Sequence, residues 1–168
     1  MTSSIIETHS VRQEQIYEVA SALFSRRGYH STSVRDIARE LDLQGGSLYA
    51  HIASKEDVLW EIITRTAAAF NAALAPILAE ELTIVERLRR MIHAHVSVVV
   101  GQSSHAAVYF QDWRHLSEPR LSQVRELRDA YEARFRATIA DGMTDGTFAA
   151  REPKLATIFL LTALNALP

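Results

Sequence analysis

SVRDIARELDLQGGSLYAHIASK, residues 33–55, holds two short helical patterns on either side of one sharp turn. Ser33 and Asp36 make a capping pair, and Val34, Ile37, Ala38 and Leu41 follow at helical spacing. Asp42 stands where the chain must reverse, because a short Asp side chain tolerates left-handed backbone better than most non-glycine residues do. Leu43 anchors the turn from inside. From Gln44 a second short helix points Leu48 and Ile52 inward, four residues apart, and leaves Gln44, Gly45, Ser47, Tyr49, Ala50 and His51 outward. Two short helices, a tight turn and a polar second helix describe a helix-turn-helix, whose second helix enters the DNA major groove.

Upstream, Ser10 and Gln13 form a capping box, and Ile16, Val19, Ala20, Leu23 and Phe24 trace a helix that stops at Gly28. Downstream, Ser54 and Asp57 open a longer helix carrying Leu59, Ile62, Ile63, Thr66, Phe70 and Leu74, which Pro76 ends or kinks. Thr83 with Glu86 starts the next, facing Leu88, Met91, Ile92, His95, Val96 and Val99 inward up to Gly101. Ser104 to His115 is a short aromatic helix. Ser117 is expected to cap a long one, with Pro119 in its first turn, Val124, Leu127, Tyr131, Phe135 and Ile139 inward, and breaks at Gly142 and Gly146. Pro153 opens LATIFLLTALNALP, apolar on nearly every side, which must be covered on both faces and so points to a dimer interface. No alternating strand pattern appears. The expectation is an all-α chain with a three-helix DNA-binding head over residues 1–55 and a C-terminal helical bundle over residues 56–168 for ligand binding and dimerisation.

A chain of 168 residues with 48% hydrophobic content can bury a core. The apolar runs near Val96–Val100 and Phe159–Leu161 are too short to span a membrane, and the first residues lack the apolar centre of a signal peptide. With no cysteine there is neither a disulfide framework nor a thiolate metal site, in keeping with a cytoplasmic setting. Net charge is −2, and the first sixty residues carry six basic against eight acidic side chains, so bulk charge does not mark a nucleic-acid binder. Placement does: Arg26, Arg27, Arg35 and Lys55 sit at helix ends flanking the turn, where phosphates would lie.

The motif resembles the TetR family of one-component transcriptional repressors. The match runs through Gly28, Thr32, Val34, Arg35, Asp36, Ile37 and Ala38, then Leu43, Gly46, Ser47, Leu48 and Tyr49, and on to Ser54, Lys55, Glu56 and Leu59. Gln44, Gly45 and the run Ala50 to Ala53 depart from the usual pattern. The resemblance implies a homodimer on a double-stranded operator, joined through its C-terminal helices, and the chain is expected to lack the last helix of that bundle. A second stretch, residues 109–148 (YFQDWRHLSEPRLSQVRELRDAYEARFRATIADGMTDGTF), is similar to the C-terminal domain of a subgroup that regulates fatty-acid, sterol-ring or aromatic-acid degradation in response to acyl-CoA thioesters. A small hydrophobic effector of that class is the implied ligand, with Arg114, Arg120, Arg125 and Arg128 as candidates for the CoA phosphates.

The candidate DNA contacts are Thr32, Ser33, Arg35, Gln44, Gly45, Gly46, Ser47, Tyr49, His51 and Lys55, against the plain alternative of a solvated helix face. Gln44 suits an adenine edge and His51 a guanine acceptor, while Ser47 and Tyr49 suit phosphates. The candidate pocket groups Thr66, Phe70, His95, Val99, Tyr109, Phe110, Trp113, Arg114, Leu127 and Tyr131 as an apolar lining with a few polar groups. Its plain alternative is core packing. His93 and His95, two apart, face different sides of a helix and make no metal site. Neither a nucleophile elbow nor a glycine-rich phosphate cradle is present, so nothing supports an enzyme or a cofactor.

Overall fold

Among the described residues, apolar side chains three and four apart fold the chain into seven α-helices and one 3-10 turn, with no strand. The structure is a computed structural model that describes residues 2–43, 48–149 and 152–166, with side chains from residue 11 onward. The helices are α1 (Thr2–Arg27), α2 (Val34–Glu40), α3 (Lys55–Ala79), α4 (Ile84–Gly101), α5 (Ser103–Gln111), α6 (Arg120–Thr144) and α7 (Pro153–Asn165). The 3-10 turn spans Trp113–His115.

Local chemistry sets most of the ends. Gly28 leaves α1 with φ +83° while its N–H donates to the Phe24 carbonyl at 2.7 Å. Ser33 and Asp36 form the reciprocal capping box of α2, Ser54 accepts the Asp57 N–H at 3.0 Å ahead of α3, and Thr83 accepts the Glu86 N–H at 3.3 Å ahead of α4. Asp42 carries the turn with φ +54°. Pro76 lies inside α3, which runs on for three more residues.

Four boundaries differ from the sequence expectation. α1 begins at Thr2 rather than Ser10, since no Gly or Pro interrupts residues 2–10. The aromatic helix stops at Gln111, and its backbone tightens to i−3 bonding, with His115 N–H donating to Asp112 O at 2.9 Å. Ser117 does not cap α6 with its side chain: its hydroxyl donates to Glu56 Oε1 at 2.6 Å, and the helix starts at Arg120, after a cis Glu118–Pro119 peptide. Gly142 does not break α6; it is buried within it, and the chain turns at Gly146, φ +82°.

The helices sort into two compact units that do not follow chain order. One takes Met1–Thr66 with Ser104–Leu121, and the other takes Ala67–Ser103 with Ser122–Pro168. Buried in the first are Ile16, Leu23, Phe24, Ile37, Leu48, Leu59, Ile62 and Val108; in the second, Phe70, Leu74, Met91, Val99, Val124 and Phe135. By length and composition α3 could cross a bilayer, which the short apolar runs do not suggest. Its apolar face is spent on the protein core instead, with Val58, Leu59, Ile62, Ile63, Ala67, Phe70 and Leu74 all buried.

Candidate functional site

In the head, Leu48 is fully buried and Ile52 nearly so, while Tyr49 and Ala50 turn outward and Tyr49 is 58% exposed. Leu43 N–H donates to Ala38 O at 2.9 Å, closing the turn after α2. Gln44, Gly45, Gly46 and Ser47 lie outside the described residues, and with them the first half of the expected recognition helix. Of the other candidates, Arg35 is exposed on α2 and has no hydrogen bond or ion pair among the described residues. His51 is half-buried, and its carbonyl accepts from Gln13 Nε2 at 3.2 Å.

Three candidates are engaged by other groups of the protein itself. Thr32 is 1% exposed and its hydroxyl donates to Gly28 O at 3.0 Å. Ser33 holds Asp36, whose carboxyl is kept below the usual carboxylate range by the Ser33 hydroxyl and N–H. Lys55 Nζ donates to Tyr29 O at 2.9 Å and Thr32 O at 3.0 Å, and burial lowers its pKa.

Residues 104–121 meet the head through polar contacts that sequence reading missed. Glu56 Oε1 accepts from Ser117 N–H at 3.0 Å and from its hydroxyl, and Arg120 pairs with Asp57 and stands over the Trp60 ring. Both carboxyls are held below their ordinary values, Glu56 mainly by Ser117 and Asp57 mainly by Ser54. His30 Nε2 lies 2.9 Å from His115 Nδ1, and Tyr29 stacks on the His115 ring. Arg120, a candidate for CoA phosphate, is therefore engaged with two carboxylates, and exposed Arg114 packs over its neighbour Trp113.

The pocket candidates divide between the units. In the second, Phe70, His95 and Tyr131 come together: the Phe70 ring stacks on His95 at 4.9 Å, and Phe135 meets it edge-on. His95 is 2% exposed and burial pushes its pKa down to about 4, so the ring is neutral. A neutral ring donates from one nitrogen only. Nε2–H donates to Asn165 Oδ1 at 3.1 Å, and Nδ1 accepts the Tyr131 hydroxyl at 3.0 Å. Asn165, the residue that fixes this tautomer, was not anticipated. Val99 is buried in the same unit, whereas Leu127 is 36% exposed. Thr66, Tyr109, Phe110, Trp113 and Arg114 belong to the first unit, where Thr66 donates to Ile62 O at 2.7 Å and Tyr109 packs edge-on against Phe110. An open groove on the head, lined by Val11, Glu14, Glu18, Leu41, Asp42 and Arg65, holds none of the pocket candidates.

Comparison with known proteins agrees with this geometry. Residues 16–62 match the family described as bacterial regulatory proteins, tetR family, and residues 81–168 match the tetracyclin repressor-like C-terminal domain. The chain is 28% identical over 140 residues to the HTH-type transcriptional repressor KstR2 of Rhodococcus jostii, covering 83% of this chain and 69% of that protein. It is 33% identical to the TetR family regulator PfmR of Thermus thermophilus, with a TM-score of 0.81 over 89% of this chain and 80% of that one. AibR, solved in complex with isovaleryl coenzyme A and operator DNA, shares the fold at a TM-score of 0.84 and 22% identity, over 92% and 84% of the two chains. These relatives are regulators of transcription and not enzymes. Helix-turn-helix head, helical C-terminal domain and both family matches together make this chain a member of the tetR family of bacterial regulatory proteins.

Proposed function

We propose that the protein is a cytoplasmic, ligand-responsive repressor that binds a palindromic operator as a homodimer and is released by a small apolar effector. The observation that carries the DNA half is the head itself. A capped α2, a left-handed turn at Asp42 and a buried Leu48–Ile52 pair leave Arg35 and Tyr49 facing solvent beside the turn. Two such heads would meet half-sites about one helical turn of DNA, or a multiple of it, apart. For the effector, the similarity of residues 109–148 to acyl-CoA-responsive regulators, and the isovaleryl coenzyme A held by AibR, make acyl-CoA thioesters the first class to try. A second reading is a regulator of another apolar or aromatic ligand, or of none. The closed His95–Tyr131–Asn165 hydrogen bonds favour it, since they leave this part of the core already satisfied.

An effector acts only through its preference for the released state; a hundredfold preference per site supplies about 2.7 kcal/mol. The test is selection of a duplex from a random pool by the wild-type protein, followed by thermal melting and duplex release with short-chain, long-chain and steroid-like acyl-CoA esters. At a hundred times its Kd an effector stabilises the protein by about 2.7 kcal/mol. Release of the duplex together with that gain is expected from one ester group. Duplex selection without any response would leave a ligand-free regulator, and no selected duplex would end the repressor reading.

The dimer reading rests on α7, where Leu155, Ile158 and Phe159 are 54%, 41% and 73% exposed. A helix with this much uncovered apolar surface matches the C-terminal pairing implied for the family. Phe159→Glu is expected to turn a dimer into a monomer in sedimentation equilibrium. A wild-type monomer, or a variant that stays dimeric, rules α7 out as the interface.

A further inference from the structure

We infer that Lys55 is a positioning residue of the DNA-binding head, bracing the loop between α1 and α2 with its ammonium group, rather than a ligand of DNA phosphate. The inference rests on the repressor reading above.

Lys55 is the first residue of α3, where the positive end of the helix dipole disfavours a cation. Its position is offset by the loop. Nζ donates to Tyr29 O at 2.9 Å and to Thr32 O at 3.0 Å, and lies 4.1 Å from the centre of the Tyr29 ring. An ammonium has three N–H groups, and these contacts use two of them and one open face. The loop so held is itself closed at each step. Gly28 N–H donates to Phe24 O, Thr32 N–H to Tyr29 O at 3.3 Å, and the Thr32 hydroxyl to Gly28 O. The next residue, Ser33, is the cap of α2. Lys55 thus ties the start of α3 to the residues that set where α2 begins, and reaching a phosphate would mean releasing both carbonyls. Arg35 offers the contrast. It is exposed one residue into α2 with no partner among the described residues, so its guanidinium is available to a phosphate at no such cost.

Salt dependence separates the two roles, because each phosphate neutralised contributes about 0.9 to the slope of log K against log salt, and a residue acting from within the protein contributes nothing. The experiment measures binding of wild type, Lys55→Met and Arg35→Ala to the selected duplex, from about 50 to 200 mM salt. Hydrogen exchange of residues 28–33 is followed in parallel. Lys55→Met is expected to bind about fivefold more weakly at an unchanged slope, with faster exchange in the loop. Arg35→Ala is expected to lower the slope by about 0.9 with loop exchange unchanged. Should Lys55→Met not fold, Lys55→Gln, which keeps two N–H donors without the charge, carries the same comparison. A slope lowered by the Lys55 variant, or an affinity it leaves untouched, overturns the inference while the repressor reading stands. A wild-type protein that selects no duplex overturns the repressor reading first and this one with it.

Discussion

Between pH 6.5 and about 4 the protein is expected to lose up to about 3 kcal/mol of stability through His95 alone. The folded protein holds this ring neutral, because burial disfavours the imidazolium and the hydrogen bond to Asn165, which favours it, is the smaller influence. An unfolded chain binds the proton at the ordinary value of 6.5. At pH 7 neither state is protonated and the contribution is fully present. As pH falls through the window the unfolded state takes up a proton that the folded state refuses, so unfolding is favoured; near pH 4 both are protonated and the loss levels off. The measurement is the stability of wild type minus that of His95→Gln by urea unfolding at each pH. Gln can keep a donor and an acceptor but does not titrate. A difference that is flat from pH 7 to 4 would end the argument. If the variant does not fold, the imidazole nitrogen shifts of wild-type His95 at pH 5 decide it, since they must report a neutral ring protonated on Nε2.

The elements legible in the sequence were those settled within one helical turn. Ser33 with Asp36, Ser54 with Asp57 and Thr83 with Glu86 cap their helices because donor and acceptor lie three residues apart. The turn at Asp42 was legible for the same reason: few other residues accept a φ of +54°. Ser117 had equally good local credentials and failed as a side-chain cap, because Glu56, sixty-one residues away, takes its hydroxyl. The His30–His115 contact spans eighty-five residues, and no spacing rule reaches that far.

Site residues follow the same division. Motif positions Thr32 and Lys55 carry polar groups suited to DNA, but their carbonyl partners, set by how α1, its loop and α3 pack, hold them inside. His95 was legible as a polar group on an apolar helix face. Its tautomer and neutrality were not, since they depend on Tyr131 and Asn165, thirty-six and seventy residues on.

Gly142→Ala is expected to destabilise the protein by up to about 2 kcal/mol, although the same change in an open helix would stabilise it by about 1 kcal/mol. A glycine in mid-helix costs backbone entropy, and local rules make it a break in α6. It stays because α6 is buried there without room for a side chain. A Cβ would sit 2.4 and 2.5 Å from Phe148 Cδ2 and Cε2, and 2.8 Å from Ile84 Cγ2 at the start of α4. The Phe148 N–H donates to the Gly142 carbonyl at 2.7 Å, which holds the ring's point of attachment beside α6, and Ile84 Cγ2 is a branch close to its own helix backbone. Overpacking of this kind costs about 1 to 3 kcal/mol, and three contacts below 3 Å place this site toward the upper part of that range, above the gain in helix propensity. Phe148→Ala removes the two nearest atoms, so in that background Gly142→Ala should cost at least about 1 kcal/mol less, a coupling that a double-mutant cycle in urea reads directly. A Gly142→Ala variant more stable than wild type would show that α6 has space at this point, and additivity in the cycle would show that Phe148 is not what fills it.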